Sequence, residues 1–209
     1  MISISTVKNA RYYSDLAHQD DYYHRGKEPA GIWHGKGAQA FGLTGEIESK
    51  TFLHLCAGFD PDGKEALVQN AGKKGEYARR CGWDVTFSAP KSVSALWAAA
   101  PDELREKISS AHREAVKATL DYLEEHLEGE TEAAKQLFFV LFQPFVSRTR
   151  ASQLSSQVLM INLRIMEDGR ACLLKSNEIF KLRRMIGAFY RDDLTRRLER
   201  IPGVERGQE

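Results

Sequence analysis

The run Gln136-Leu-Phe-Phe-Val-Leu-Phe142 is apolar at six of its seven positions. It is far shorter than the roughly 20 residues a membrane-spanning helix needs. It lacks the alternation of a strand with one wet face, so it reads as a strand buried on both sides. A strand of that kind requires packed layers above and below it, which excludes a single-layer or extended fold.

The flanking segments supply those layers. From Pro101 to about Glu128, Leu104, Ile108, Ala111, Ala115, Ala118, Tyr122 and Leu123 recur at three- and four-residue steps, the period of an amphipathic helix. A second helix is expected over Asn177 to Arg200, with Ser176 as N-cap, Pro202-Gly203 as stop, and an apolar face of Phe180, Met185, Ile186, Phe189, Leu194 and Leu198. Between them, Gln157 to Met166 reads as another strand, and Asp168-Gly169 as the hairpin turn into Ala171 to Leu174. Upstream, Asp84-Val-Thr-Phe87 reads as a short strand that runs into Ser88-Ala-Pro-Lys-Ser92, the opening of a further helix. With no internal repeat and no linker-like stretch, residues 1–209 are expected to form one α+β domain with an antiparallel sheet.

Composition narrows the class. Hydrophobic residues make up 42% and charged residues 28%, with 16 Gly and 6 Pro, so disordered, collagenous and low-complexity readings are excluded. The first residues carry no apolar block followed by a small-residue cleavage site, as a secretory signal would. Cys56, Cys81 and Cys172 are widely spaced and odd in number, which argues against a disulfide framework or zinc knuckle. Three buried or idle thiols in a cytoplasmic monomer are the expectation, with no membrane partner. The net charge of +1 is unevenly spread: residues 101–135 carry 5 basic and 10 acidic side chains, residues 136–209 carry 13 and 8. Arg148, Arg150, Arg183, Arg184, Arg196, Arg197 and Arg200 in the basic part can neutralise phosphates or simply solvate a helix.

Four segments carry a resemblance. They are the tyrosine pairs Tyr12-Tyr13 and Tyr22-Tyr23; Trp33-His-Gly-Lys-Gly37 with Gly42-Leu-Thr-Gly45; Asp84-Val-Thr-Phe-Ser-Ala-Pro-Lys-Ser-Val-Ser94; and Ser147-Arg148 with Gln153-Leu154, followed by Asn162 and Asp168-Gly169. In this order and spacing the chain resembles the relaxase domain of conjugative plasmid-transfer proteins of the MobF class, the TrwC/TraI type, from Met1 to about Gly203. The resemblance implies a HUH-type endonuclease fold, with helices on the outer side of a central antiparallel sheet. It also implies single-stranded DNA as partner, possible companions among other transfer proteins, and cleavage of one strand at a transfer origin through a tyrosine that becomes joined to the 5′ phosphate. A phenol with a pKa near 10 must then attack an anionic phosphodiester, and a divalent metal must polarise that phosphate.

By position, Tyr12 matches the family's first catalytic tyrosine, with Tyr13 beside it, and Tyr22 and Tyr23 match the second pair. Without the resemblance, paired tyrosines are more often packing or surface residues. Asp84 matches the carboxylate that orients a metal-bound histidine, or else caps a turn at a strand end. Lys91, Arg148 and Arg150 fall in basic positions near the DNA, or in surface ion pairs.

The metal side departs from the family pattern F-x-H-x-T-S-R followed by P-Q-L-H-x-H. Here the text is Phe142-Gln-Pro-Phe-Val-Ser-Arg148 and Ser152-Gln-Leu-Ser-Ser-Gln157, which puts Pro144, Ser155 and Gln157 where the three histidines are expected. Proline offers a metal no donor, and neutral Ser and Gln oxygens bind divalent ions far more weakly than imidazoles do. The six histidines, His18, His24, His34, His54, His112 and His126, all lie outside these strands, so they are read as structural or exposed and no metal cofactor is expected. No G-x-x-x-x-G-K-[ST] phosphate loop occurs, which excludes ATP-driven unwinding. The domain is also expected to be shortened at its C-terminal end, with no helicase following. Three readings stay open: a single-strand-binding relaxase-like domain that has lost nicking; a minimal active relaxase using Tyr12, with Asp84, Gln157 and water holding Mg²⁺ or Mn²⁺; and a non-functional remnant of a longer transfer protein.

Overall fold

The computed structural model describes residues 1–7, 31–73, 79–127, 136–142, 153–166, 168–202 and 204. Among them the elements run β1 (Ile2–Val7), β2 (Ile32–His34), α1 (Lys36–Ala40), α2 (Ser49–Ala57), β3 (Gly82–Ser88), α3 (Lys91–Ala99), α4 (Asp102–His126), β4 (Gln136–Phe142), β5 (Ser155–Ile165), β6 (Ala171–Cys172) and α5 (Ser176–Leu198). The strands form one antiparallel sheet in the order β1-β3-β5-β4-β2, with β6 pairing the far end of β5.

The strand over Gln136–Phe142 is there and is buried on both faces as its sequence requires. Leu137, Phe139 and Leu141 join a core with α4 and α5, while Phe138, Val140 and Phe142 join a second core with α1 and α2. On the first side Trp83, Val85, Phe87, Val158 and Met160 meet Ile108, Val116, Leu120, Ile186 and Tyr190. On the second, Leu159, Ile161 and Leu163 meet Phe52, Leu55 and Trp33. Helices therefore cover both faces of the sheet rather than one outer side.

Glycine is required at position 82, where a Cβ would stand 2.1 Å from the Met160 carbonyl oxygen across the β3–β5 ladder. Glu124, on the last turns of α4, is buried and accepts hydrogen bonds from the backbone N–H of Leu137 (2.5 Å) and of Lys36 (3.1 and 3.2 Å). Its carboxylate thereby holds the start of β4 against the first residue of α1, in a place where burial pushes its pKa up and those hydrogen bonds pull it down.

Two expectations about the last helix need correction. The last helix begins at Ser176, and Lys175 is its N-cap with extended backbone; the Ser176 hydroxyl accepts from the Arg80 guanidinium instead. The buried stripe of this helix is Ile179, Ile186, Tyr190, Leu194 and Leu198. Phe180, one residue and about 100° further round, is 43% exposed. Met185 and Phe189 are half-buried, the latter stacked on Tyr122 at 4.3 Å. The three thiols are free, as expected; Cys56 and Cys81 are buried with their Sγ atoms 2.8 Å apart, and burial raises the Cys56 pKa.

The expected hairpin turn is present. Gly169 takes φ +79°, Met166 N–H donates to Arg170 O, and Gly169 N–H donates to Met166 O. No helix among the described residues is long and apolar enough to cross a membrane.

Candidate functional site

Strand side chains alternate, so register decides which residues share a face. On β5 the even positions Ser156, Val158 and Met160 point to α4 and α5, and the odd positions Leu159, Ile161 and Leu163 point to α2. Ser155 and Gln157 therefore lie on the α2-side face. On β3, Trp83, Val85 and Phe87 belong to the α4–α5 core, which places Asp84, Thr86 and Ser88 on the same face as Ser155 and Gln157. The ladder puts Thr86 opposite Gln157, Ser88 opposite Ser155, and Asp84 opposite Leu159. On β1, Ser3 lies opposite Thr86 and Ser5 opposite Asp84. One face of the sheet thus divides in two: an apolar part under α1 and α2, and a polar strip of Ser3, Ser5, Asp84, Thr86, Ser88, Ser155 and Gln157. In that strip the Thr86 hydroxyl donates to Asp84 Oδ1 at 3.2 Å.

Three of the sequence-assigned positions, Asp84, Ser155 and Gln157, are accordingly brought together. Lys91 is exposed at the start of α3 and lies off the strip, on a groove between α3 and α5. Tyr12, Tyr13, Tyr22, Tyr23, Pro144, Arg148 and Arg150 lie outside the described residues. Of the arginines flagged for charge, Arg196 is ion-paired with Asp192 (2.7 Å) and Arg197 with Asp193 (2.5 Å), whereas Arg183 and Arg184 line the groove.

The start of β5 is held by the turn that follows β3. Ser94 Oγ, buried on α3, accepts from Leu154 N–H (3.3 Å) and from Gln153 Nε2 (3.1 Å), and Gln153 Nε2 also donates to the Ala89 carbonyl (2.9 Å). Ala89 N–H donates to Leu154 O at 2.9 Å. The Ser-Ala-Pro-Lys-Ser-Val-Ser run thus fixes where Ser155 and Gln157 sit relative to Asp84. Asn162 lies further along β5, on the other face; its Oδ1 accepts from Leu174 N–H at 2.9 Å and its Nδ2 donates to Arg80 O at 3.3 Å, which is a structural role.

Sequence reasoning missed what lies behind the strip. His112 is fully buried on α4, with Nε2 2.8 Å from Ser156 Oγ and Nδ1 2.7 Å from Tyr190 Oη. Burial first, then the nearby Arg113 charge, lowers its pKa to about 4, so the ring is neutral at pH 7; burial also raises the Tyr190 phenol. The available signal was its place in the stripe Ile108, His112, Ala115, Thr119, Leu123. The other described histidines also have protein partners: His34 with Asp121 (2.7 Å), His54 with Pro61 O (2.9 Å) and His126 with Tyr122 O (2.9 Å). Among the described residues no three His, Cys, Asp or Glu side chains gather into a set that could hold a metal ion.

A family model described as TrwC relaxase matches residues 7–208. The chain belongs to the TrwC relaxase family. It is 30% identical over 223 residues to the multifunctional conjugation protein TraI of Escherichia coli, a match that takes in 96% of this chain. TraI from strain K12 of the same species is likewise 30% identical, over 193 residues. The chain spans only 12% and 10% of the length of these two TraI proteins. Among solved structures, the conjugative relaxase TrwC in complex with OriT DNA superposes with TM-score 0.75 in its metal-free form and 0.74 in its metal-bound form, at 30% and 31% identity. The metal-free match covers 97% of this chain and 70% of TrwC. TrwC with a 27-mer DNA comprising the recognition hairpin and the cleavage site matches with TM-score 0.74 and 30% identity, over 100% of this chain and 72% of that one. In these TrwC relaxase relatives the antiparallel sheet with its packed helices is the shared frame.

Proposed function

We propose that this domain binds single-stranded DNA of a conjugative transfer origin and has lost the metal-dependent nicking step. The observation that carries the proposal is the composition of the polar strip. Two side chains at positions two apart on β5 share the Asp84 face, which is the arrangement an H-x-H pair would use, yet they are Ser155 and Gln157. Pro144, the third corresponding position by sequence, adds no donor.

A hydroxyl, an amide and one carboxylate do not fit a divalent ion that must polarise a phosphodiester, because neutral oxygens bind it far more weakly than imidazoles do. Without that charge, attack by the weakly acidic Tyr12 phenol loses several kcal/mol of transition-state stabilisation. What supports retention of DNA binding is the intact frame: the Ser94 brace still sets the register at the start of β5, and Lys91 remains exposed beside it. In this reading residues 1–209 form a single relaxase-like unit that acts as a binding module.

The test uses a labelled single-stranded oligonucleotide carrying a candidate transfer origin, incubated with the full chain and Mn²⁺, with binding read by anisotropy and covalent adduct by denaturing gel. Binding without adduct is expected. An adduct that disappears in Tyr12→Phe restores the reading of an active minimal relaxase, and absence of any binding leaves the remnant.

A further inference from the structure

The groove beside Lys91 has no role in the strip chemistry. It encloses about 1210 Å³ between Met1-Ile2, the Ser88–Lys91 turn, Gln153 and the stretch of α5 from Phe180 to Arg191. That exceeds the space a single small ligand usually fills and suits a chain. Its lining includes Lys91, Lys181, Arg183, Arg184 and Arg191 and no carboxylate. The acidic side chains of α5 are engaged elsewhere, Asp192 and Asp193 with Arg196 and Arg197, and Glu178 toward Arg164. None of the five groove cations is ion-paired with a described carboxylate, although the Arg183 and Arg191 Nε atoms each donate to a backbone carbonyl.

Two further features belong to the same helix face. Phe180 lines the groove with its ring 43% exposed, free to meet an aromatic or apolar group of a ligand. Gly187 lies mid-helix in the groove wall, and a Cβ there would meet nothing within 4 Å. Packing within the fold therefore does not call for this glycine, which weakens a helix relative to alanine. Its absent side chain leaves the helix backbone open to close approach from the groove.

We infer that this groove binds the backbone of single-stranded nucleic acid, with Lys181, Arg184, Arg191 and Lys91 on phosphates and Phe180 stacked on a base. The inference rests on the single-strand-binding reading above and extends it to a surface across the sheet edge from the polar strip; Ser88, at the end of that strip, also lines the groove. Stacking on an aromatic ring together with a cationic track is the combination that holds single strands without sequence readout.

The test is fluorescence anisotropy on the full chain with labelled oligothymidylate of roughly 16 nucleotides, long enough to fill such a track, over a salt series. Lys181→Gln/Arg184→Gln/Arg191→Gln should weaken binding by at least an order of magnitude and flatten the log K against log salt slope by about 2, given about 0.7 per lost single-strand contact. Phe180→Ala should weaken binding with the slope unchanged. All four positions are exposed, and matching thermal melts would show that the fold is intact. If the parent binds and both variants bind like it with the same slope, the groove inference is overturned while the single-strand reading stands. If the parent does not bind, both fall. Equal competition by duplex DNA or heparin overturns the single-strand assignment and leaves a general polyanion surface.

Discussion

Ser155, Ser156 and Gln157 are consecutive residues at the start of one strand, yet the two faces they present differ in almost every respect. Ser156 points inward, and its buried hydroxyl is tied through His112 to the Tyr190 phenol. Ser155 and Gln157 point the other way, into a half-buried polar strip shared with Asp84 and Thr86. The inward face is a satisfied network in which every member depends on its neighbours. The outward face is polar ground that the fold does not need for packing, and such ground is where chemistry can be gained or lost without unfolding the protein. Adjacent serines thus have opposite roles for no reason beyond the period of two along a strand.

The contrast can be broken most directly from the inside. His112→Ala should cost about 3–5 kcal/mol in chemical denaturation, since it opens a cavity and strands the Ser156 and Tyr190 hydroxyls. A cost below about 1 kcal/mol would mean that the network is not the structural element described here. The same residue sets a pH dependence. Its folded pKa of about 4 lies below the ordinary 6.5, so the unfolded chain takes up a proton first as pH falls. The stability it contributes is complete above pH 6.5 and is lost between 6.5 and 4, to the extent of about 3 kcal/mol. Urea midpoints across that window should fall in the parent, and the His112 share of the fall should vanish in His112→Gln.

Ser94→Ala, which removes the acceptor for Leu154 N–H, should cost about 1–2 kcal/mol and loosen the strip. Faster amide exchange at Leu154 is its signature, and unchanged exchange would argue that the turn does not set the strand. Gly187→Ala should raise stability by roughly 0.5–1 kcal/mol, because an alanine there relieves the helix without a clash. Smallest of all, Ser155→Ala and Gln157→Ala should each change stability by less than about 0.5 kcal/mol. A loss several times larger from Gln157→Ala would erase the distinction between the two faces.

Much of the frame is legible in the residues. The apolar run of β4, the hairpin turn at Asp168-Gly169 and the long periodic α4 follow from local pattern, and the relaxase motifs led to the family that the match over residues 7–208 establishes. What escaped has physical causes. The strand Ile2–Val7 alternates as a half-buried edge strand should, but six residues at the start of a chain give little context. The three residues of β2 and the nine of α2 are too short for periodicity to speak, so the second layer went unseen. Period two alone indicates that Ser155 and Gln157 share a face. That Asp84 shares it too depends on the β3–β5 register, which no single strand encodes. The Ser94 brace and the meeting of Cys56 with Cys81 join residues far apart in sequence. Phe180 reads as core in the sequence because an aromatic residue at helical spacing usually belongs there, yet it is 43% exposed.

The strand order described above also governs how the chain must assemble in time. Ile2 pairs with Phe87, and Ile32 pairs with Leu141, but among the described strands β3 and β4 are joined only through β5, which lies at the centre of the sheet and follows both in chain order. Until residues 155–165 emerge, the two halves of the sheet share the face of α4 but no strand, and no ladder joins β3 to β4. Such non-local closure makes folding slow and leaves a long interval of exposure to aggregation. A chain stopped before Ser155 should therefore show no cooperative melt, and the wait for the central strand sets the rhythm of the whole fold.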